Sequence, residues 1–180
     1  MENKKNFIED IERTLYDIKD KDNSVYREKV GLTEDIVRDI SERKHDPKWM
    51  LDFRLKSLDI YNHTPLPTWG PDLSELNMDE ITTYVQPDAK MAGKWDDVPD
   101  DIKNTFDRLG IPEAEKTSLA GVGAQYDSEV VYHSIQDRLT EQGVIYTDME
   151  TAVRDYEDIV KEYFMKLVPP HDHKFAALHG

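Results

Sequence analysis

Residues 31–60 read GLTEDIVRDISERKHDPKWMLDFRLKSLDI, and they place two helices in succession. Thr33 is of the type that caps a helix N-terminus, because its hydroxyl can accept from a backbone N–H of the first turn. Glu34 and Asp35 follow where the helix dipole favours negative charge, and Arg43 with Lys44 stand at the end where it favours positive charge. Ile36, Val37 and Ile40 share one face, which is the face to bury. Asp46-Pro47 then reads as the cap and first residue of a second helix, where proline's missing N–H does no harm. From Pro47 to about Ile60 this helix carries Trp49, Met50, Leu51, Phe53, Leu55, Leu58 and Ile60, apolar almost all round. The pattern puts it at the centre of a core or an interface.

Upstream, Phe7, Ile8, Ile11, Leu15 and Ile18 recur at helical spacing across residues 6–19, before a charged break at 20–23. One short amphipathic helix does not hold itself in water, so it docks on a surface or frays. The expected organisation is therefore an N-terminal helix and linker over residues 1–30, followed by one structured region over 31–180.

Downstream, Pro65, Pro67 and Pro71 surround Trp69 and Gly70, predicting a stiff extended strap whose Trp69 plugs the core. Ile81–Val85 is β-branched and reads as a short edge strand, with a polar loop over 88–97. Pro99 opens a helix with Val98, Ile102, Phe106 and Leu109 on one face, and Gly110 stops it. Gly121-Val122-Gly123 reads as a loop, and Val130-Val131-Tyr132 as a strand or the start of a helix. Ile135 and Leu139 belong to a helix ended by Gly143, and Val144-Ile145-Tyr146 reads as a strand. Asp148 caps a helical stretch through Ala152, Val153, Tyr156, Ile159, Val160, Tyr163, Phe164 and Leu167, ending before Pro169-Pro170. A strand, helix, strand, helix order over residues 130–168 predicts a small α/β unit. The fold class that emerges is mainly α with a few short β-strands, α+β.

Composition narrows the function. The 180 residues hold 38 acids against 23 bases, a formal charge of −15, and no cysteine. Without cysteine, disulfide scaffolds, zinc ribbons and thiol catalysis are excluded. Phosphate repels a carboxylate excess with no basic block to offset it, so no nucleic-acid surface is expected. No apolar run approaches the ~20 residues of a membrane span, and the N-terminus lacks the build of a secretion signal. A soluble, intracellular protein is the expectation, and with Leu, Ile, Val and Phe at about 23% it is marginally hydrophobic.

Chemical motifs are sparse. Gly121-Val122-Gly123 lacks the third glycine of a dinucleotide loop and the Lys-Ser/Thr of a P-loop. His171-Asp172-His173 is the one clustered imidazole pair, with His179 six residues on. Two histidines and a distant carboxylate would suit zinc or iron, so a free-standing metal-dependent enzyme using His171 and His173 is the alternative reading; a turn role is the plainer one. With 38 acids, carboxylate pairs arise by chance and carry no information. No serine-nucleophile motif occurs. No catalytic, cofactor-binding or metal-binding residue is assigned, and no enzymatic activity is expected.

Longer strings say more. Residues 31–56, Pro67-Thr68-Trp69-Gly70-Pro71-Asp72, Phe106-Asp107-Arg108-Leu109-Gly110-Ile111-Pro112 and Leu119-Ala120-Gly121-Val122 resemble the N-terminal region of the SufB family of iron–sulfur cluster assembly scaffolds. Tyr126-Asp127-Ser128-Glu129-Val130, Gly143-Val144-Ile145-Tyr146 and Lys174-Phe175-Ala176-Ala177-Leu178 continue the resemblance in the same order, over roughly residues 30–180. The resemblance implies a longer protein, continuing into a parallel β-helix core that this chain stops short of. It implies cytoplasmic location, and partnership of the full-length protein with a SufC-like ATPase and a SufD-like subunit. It also implies that the residues of cluster assembly lie in the missing part, so that this chain binds no cofactor and has a structural or assembly role; a helical interaction module retained after truncation is a further alternative. Family members commonly lack the His171/His173 pair. They often carry proline after the position of Tyr156, which implies two helices meeting near Asp155 rather than one.

Overall fold

A computed structural model describes residues 21–112, 115 and 121–180. The helix expected over residues 6–19 lies outside the described residues. The chain forms two compact units. One is a helical body built from residues 24–87, 127–129 and 145–180; the other, a hairpin body, holds the described residues of 21–23, 88–126 and 130–144.

The helical body begins with strand β1 (Ser24–Arg27), which pairs antiparallel with β2 (Val85–Pro87). A further bridge joins Val30 to Thr82, and Gly31 N–H donates to the Ile81 carbonyl at 2.9 Å. The β-branched run thus pairs as expected, but its regular strand starts at Val85 and includes Pro87. Proline is tolerated there because it sits at the strand's end in a two-stranded sheet.

Helix α1 (Glu34–Arg43) starts where the sequence places it, with Thr33 accepting from the Ile36 N–H. Helix α2 runs Lys48–His63, three residues beyond the expected end. Pro47 rather than Asp46 occupies its cap position, and the Asp46 carboxylate instead accepts from Arg54 Nε at 2.8 Å. Val37, Leu58, Tyr61 and Ala177 form one buried cluster; Met50, Val153 and Val160 form another. Burying a side chain of that size contributes roughly 1.5–3 kcal/mol.

The hairpin body packs around Trp95. Helix α3 (Asp100–Arg108) presents Ile102 to it, and Gly110, at φ +72°, ends that helix as expected. Strands β3 (Gly121–Tyr126) and β4 (Glu129–Ile135) form a two-stranded sheet; a two-residue connection makes them antiparallel. Ala92, Val98, Ala124, Val131 and Tyr132 complete the cluster, with Phe106 edge-on to Trp95 at 5.4 Å. Helix α4 (Asp137–Glu141) follows and stops before Gly143, at φ +81°.

Several expectations are corrected here. Gly121-Val122-Gly123 is strand, not loop, and Ile135 ends a strand rather than starting a helix. Part of the polar loop over 88–97 is core: Ala92 bridges Tyr132 and Trp95 is buried. Val144-Ile145-Tyr146 is exposed coil and joins neither sheet among the described residues. The small α/β unit over 130–168 therefore does not form. Trp69 does not plug a core: it is 66% exposed, because the proline strap bends at residues 68–71, with Gly70 at φ +91°, instead of staying extended. Leu109 is 51% exposed, in the turn where α3 ends. Trp49, Phe53, Leu55 and Phe106 are half-buried.

The last helical stretch is two helices, α5 (Met149–Asp155) and α6 (Glu157–Tyr163), broken at Tyr156 with φ −127° and ψ 40°. Asp148 caps α5, accepting from the Thr151 N–H at 2.8 Å. Helix α7 (Lys174–His179) closes the described chain. The architecture is an α+β mix, mainly helical with short strands.

Candidate functional site

The most concentrated polar chemistry lies within the helical body, at Lys44, one residue past the end of α1. Lys44 is 8% exposed. Its Nζ donates to Glu129 Oε1 at 2.6 Å, to Glu150 Oε1, and to the Ser128 carbonyl at 3.4 Å. Tyr84 O–H donates to the same Glu129 oxygen at 2.5 Å, and Arg154 Nη1 donates to the Lys44 carbonyl at 3.1 Å. One ammonium thus ties α1, the 127–129 turn and α5 together. Burial raises the Glu150 carboxyl above its ordinary range, although Lys44 pulls it the other way. Burial, and then the bond to Glu129, hold the Tyr84 hydroxyl protonated.

A second group of polar side chains adjoins it. The Tyr26 hydroxyl lies 2.7 Å from Glu28 Oε2 and 2.8 Å from Asp39 Oδ2, and these bonds push it up to about 12. Arg43 Nε donates to Asp39 at 2.7 Å and holds that carboxylate below its usual range, with Tyr26 assisting. The Arg43 guanidinium stacks over the Tyr26 ring at 3.3 Å, a cation–π contact. These charges answer one another. The arrangement fixes elements in place.

Beside this network lies a cavity of about 410 Å³, mostly apolar, lined among others by Leu32, Arg54, Leu58, Ile81, Tyr84 and Leu178. The residues reach it from α1's approach, α2, the run before β2 and α7.

His171 and His173 part company. His171 is exposed, whereas His173 Nδ1 accepts from the Ala176 N–H at 3.2 Å and caps α7. The His173 and Trp69 rings meet edge-to-face, with centroids 5.6 Å apart. Among the described residues no three His, Asp or Glu side chains gather closely enough to hold a metal ion. The next residue, Lys174, donates to the carbonyls of Tyr61 at 2.7 Å and Thr64 at 3.0 Å, satisfying the C-terminal end of α2. Sequence reasoning missed both lysines. Lys44 carried only the signal of a positive helix end, and its acidic partners were two among 38 candidates for any pairing.

Short helices, two-stranded sheets and a self-satisfied ionic cluster define an α+β packing module. Comparison with known proteins gives its kin. Over 171 residues the chain is 52% identical to the iron–sulfur cluster assembly protein SufB of Bacillus subtilis, and 54% identical to an iron–sulfur cluster assembly SufBD family protein of Staphylococcus haemolyticus. A SufBD family protein of Staphylococcus aureus is 53% identical. Each match covers 95% of this chain and 37% of the relative, so the chain spans little more than a third of their length. All three relatives carry names from the SufB or SufBD group of iron–sulfur cluster assembly proteins, and the chain is similar to a part of each. No family model matches it, and no solved structure does. No helix among the described residues is long and apolar enough to cross a membrane.

Proposed function

We propose that this chain is the N-terminal, architectural part of a SufB-like scaffold subunit for iron–sulfur cluster assembly. It works through the full-length protein, in the cytoplasm, beside a SufC-like ATPase and a SufD-like subunit. It performs no cluster chemistry and binds no cofactor of its own. The observation that carries this reading is 52–54% identity over 95% of the chain to proteins named for that assembly. The geometry supports it, because the strongest polar network is consumed in joining helices.

The test is a chimera in which these 180 residues replace the matching region of Bacillus subtilis SufB. It is expected to support growth of cells lacking SufB and to co-purify with the ATPase. A chimera that folds, yet neither complements nor binds, overturns the reading. Separately, the purified 180-residue chain is expected to show no charge-transfer absorbance after incubation with iron and sulfide.

A further inference from the structure

The cavity of about 410 Å³ in the helical body has an apolar lining, and two features of its surroundings call for a backbone. Thr83 Oγ1, on the cavity wall, is buried without a hydrogen-bond partner. Ser57 Oγ is likewise buried and unpartnered, and it lies against Gly180, itself a wall residue. A buried hydroxyl left without a partner costs roughly 1–3 kcal/mol. An occupant that fills the space while answering these hydroxyls brings apolar side chains together with N–H and C=O groups, which is the chemistry of a peptide segment.

The approach of residue 180 is close. A Cβ built there would stand 2.1 Å from Ser57 Oγ and 3.1 Å from Phe53 Cε1, so the backbone is pressed onto α2. Helix α7 brings it there, held at its start by the His173 cap and by Lys174 on the carbonyls of α2. Leu178, from the same helix, and Ile81 line the cavity while remaining 36% and 38% exposed.

We propose that this cavity seats the stretch of polypeptide directly following residue 180 in the longer SufBD proteins. This rests on the reading above that the chain forms the N-terminal part of such a subunit. Continuity selects the occupant: the relatives are far longer than the aligned region, and residue 180 already stands on the cavity wall. The segment lays apolar side chains between Ile81 and Leu178, and its first amides answer Ser57 and Thr83.

A photo-crosslinking amino acid at position 81 of the Bacillus subtilis SufB chimera tests this by mass spectrometry of the adducts. Adducts within the stretch immediately after residue 180 are the expected result. Adducts confined to remoter parts, to a second copy, or absent altogether overturn the proposal. Ile81→Asp adds a second measurement. It should leave the thermal transition of the 180-residue chain unchanged while making the following stretch of the chimera several-fold more sensitive to protease. Equal sensitivity also overturns the proposal. ATPase co-purification is read on the same samples: if it fails while the local adducts form, the scaffold reading falls and the seat remains.

Discussion

Lys44 holds three segments of the helical body together through one buried ammonium. Removing one partner of a buried, hydrogen-bonded ion group leaves the others desolvated and unanswered, so Lys44→Met is expected to cost about 3 kcal/mol in urea unfolding. Adding Glu129→Gln to that variant should recover part of the loss, because it removes a carboxylate left without its cation; independent, additive losses would mean that the pair is not coupled. Tyr26 carries a second expectation. Its folded hydroxyl titrates near 12 against 10.0 unfolded, so the native state holds the extra proton between those values. The stability it contributes is fully present below pH 10 and is lost as pH rises toward 12. Tyr26→Phe should flatten that part of the stability–pH curve. Neither residue was legible in the sequence. Which of 38 acids meets a given lysine depends on how distant segments fold back, and Lys44 lies 85 residues from Glu129.

Among elements, most caps were readable and most strands were not. Thr33, Asp148 and Gly110 announce their helix ends because capping is local chemistry within three residues. A strand needs a partner. Val144–Tyr146 has the composition of one and stays coil, while Gly121–Tyr126, with two glycines, is strand because β4 supplies the ladder. The break at Tyr156 escaped periodicity, since α5 and α6 keep a common apolar spacing across it. Asp148→Ala is expected to lower stability by about 1 kcal/mol. Burial opposes the charged form of Asp148, but the bonds from Thr151 outweigh it and depress its pKa. Its stabilising effect is therefore present above the ordinary carboxylate range and lost as pH falls through the depressed value. In acid the Asp148→Ala and parent unfolding curves should converge. His173→Ala should cost about 1 kcal/mol by removing the cap of α7, His173→Asn should restore most of it, and His171→Ala should change nothing; circular dichroism melts distinguish these.

For the molecule as a whole, the class of fold and the likeness to SufB were within reach of the sequence, because long strings identify kin where short motifs do not. The division into two compact units was not, since each unit gathers segments that lie far apart along the chain. The three tryptophans follow that division. Trp95 lies buried in the hairpin body, Trp49 packs edge-on to Phe164 in the helical body, and Trp69 stands on the surface. Variants keeping one indole at a time thereby turn the chain into three optical reporters. Trp69 should emit furthest to the red and quench most readily with acrylamide. Trp95 and Trp49 then give each body its own fluorescence signal, and their separate or coincident melting curves would show whether the two come apart together.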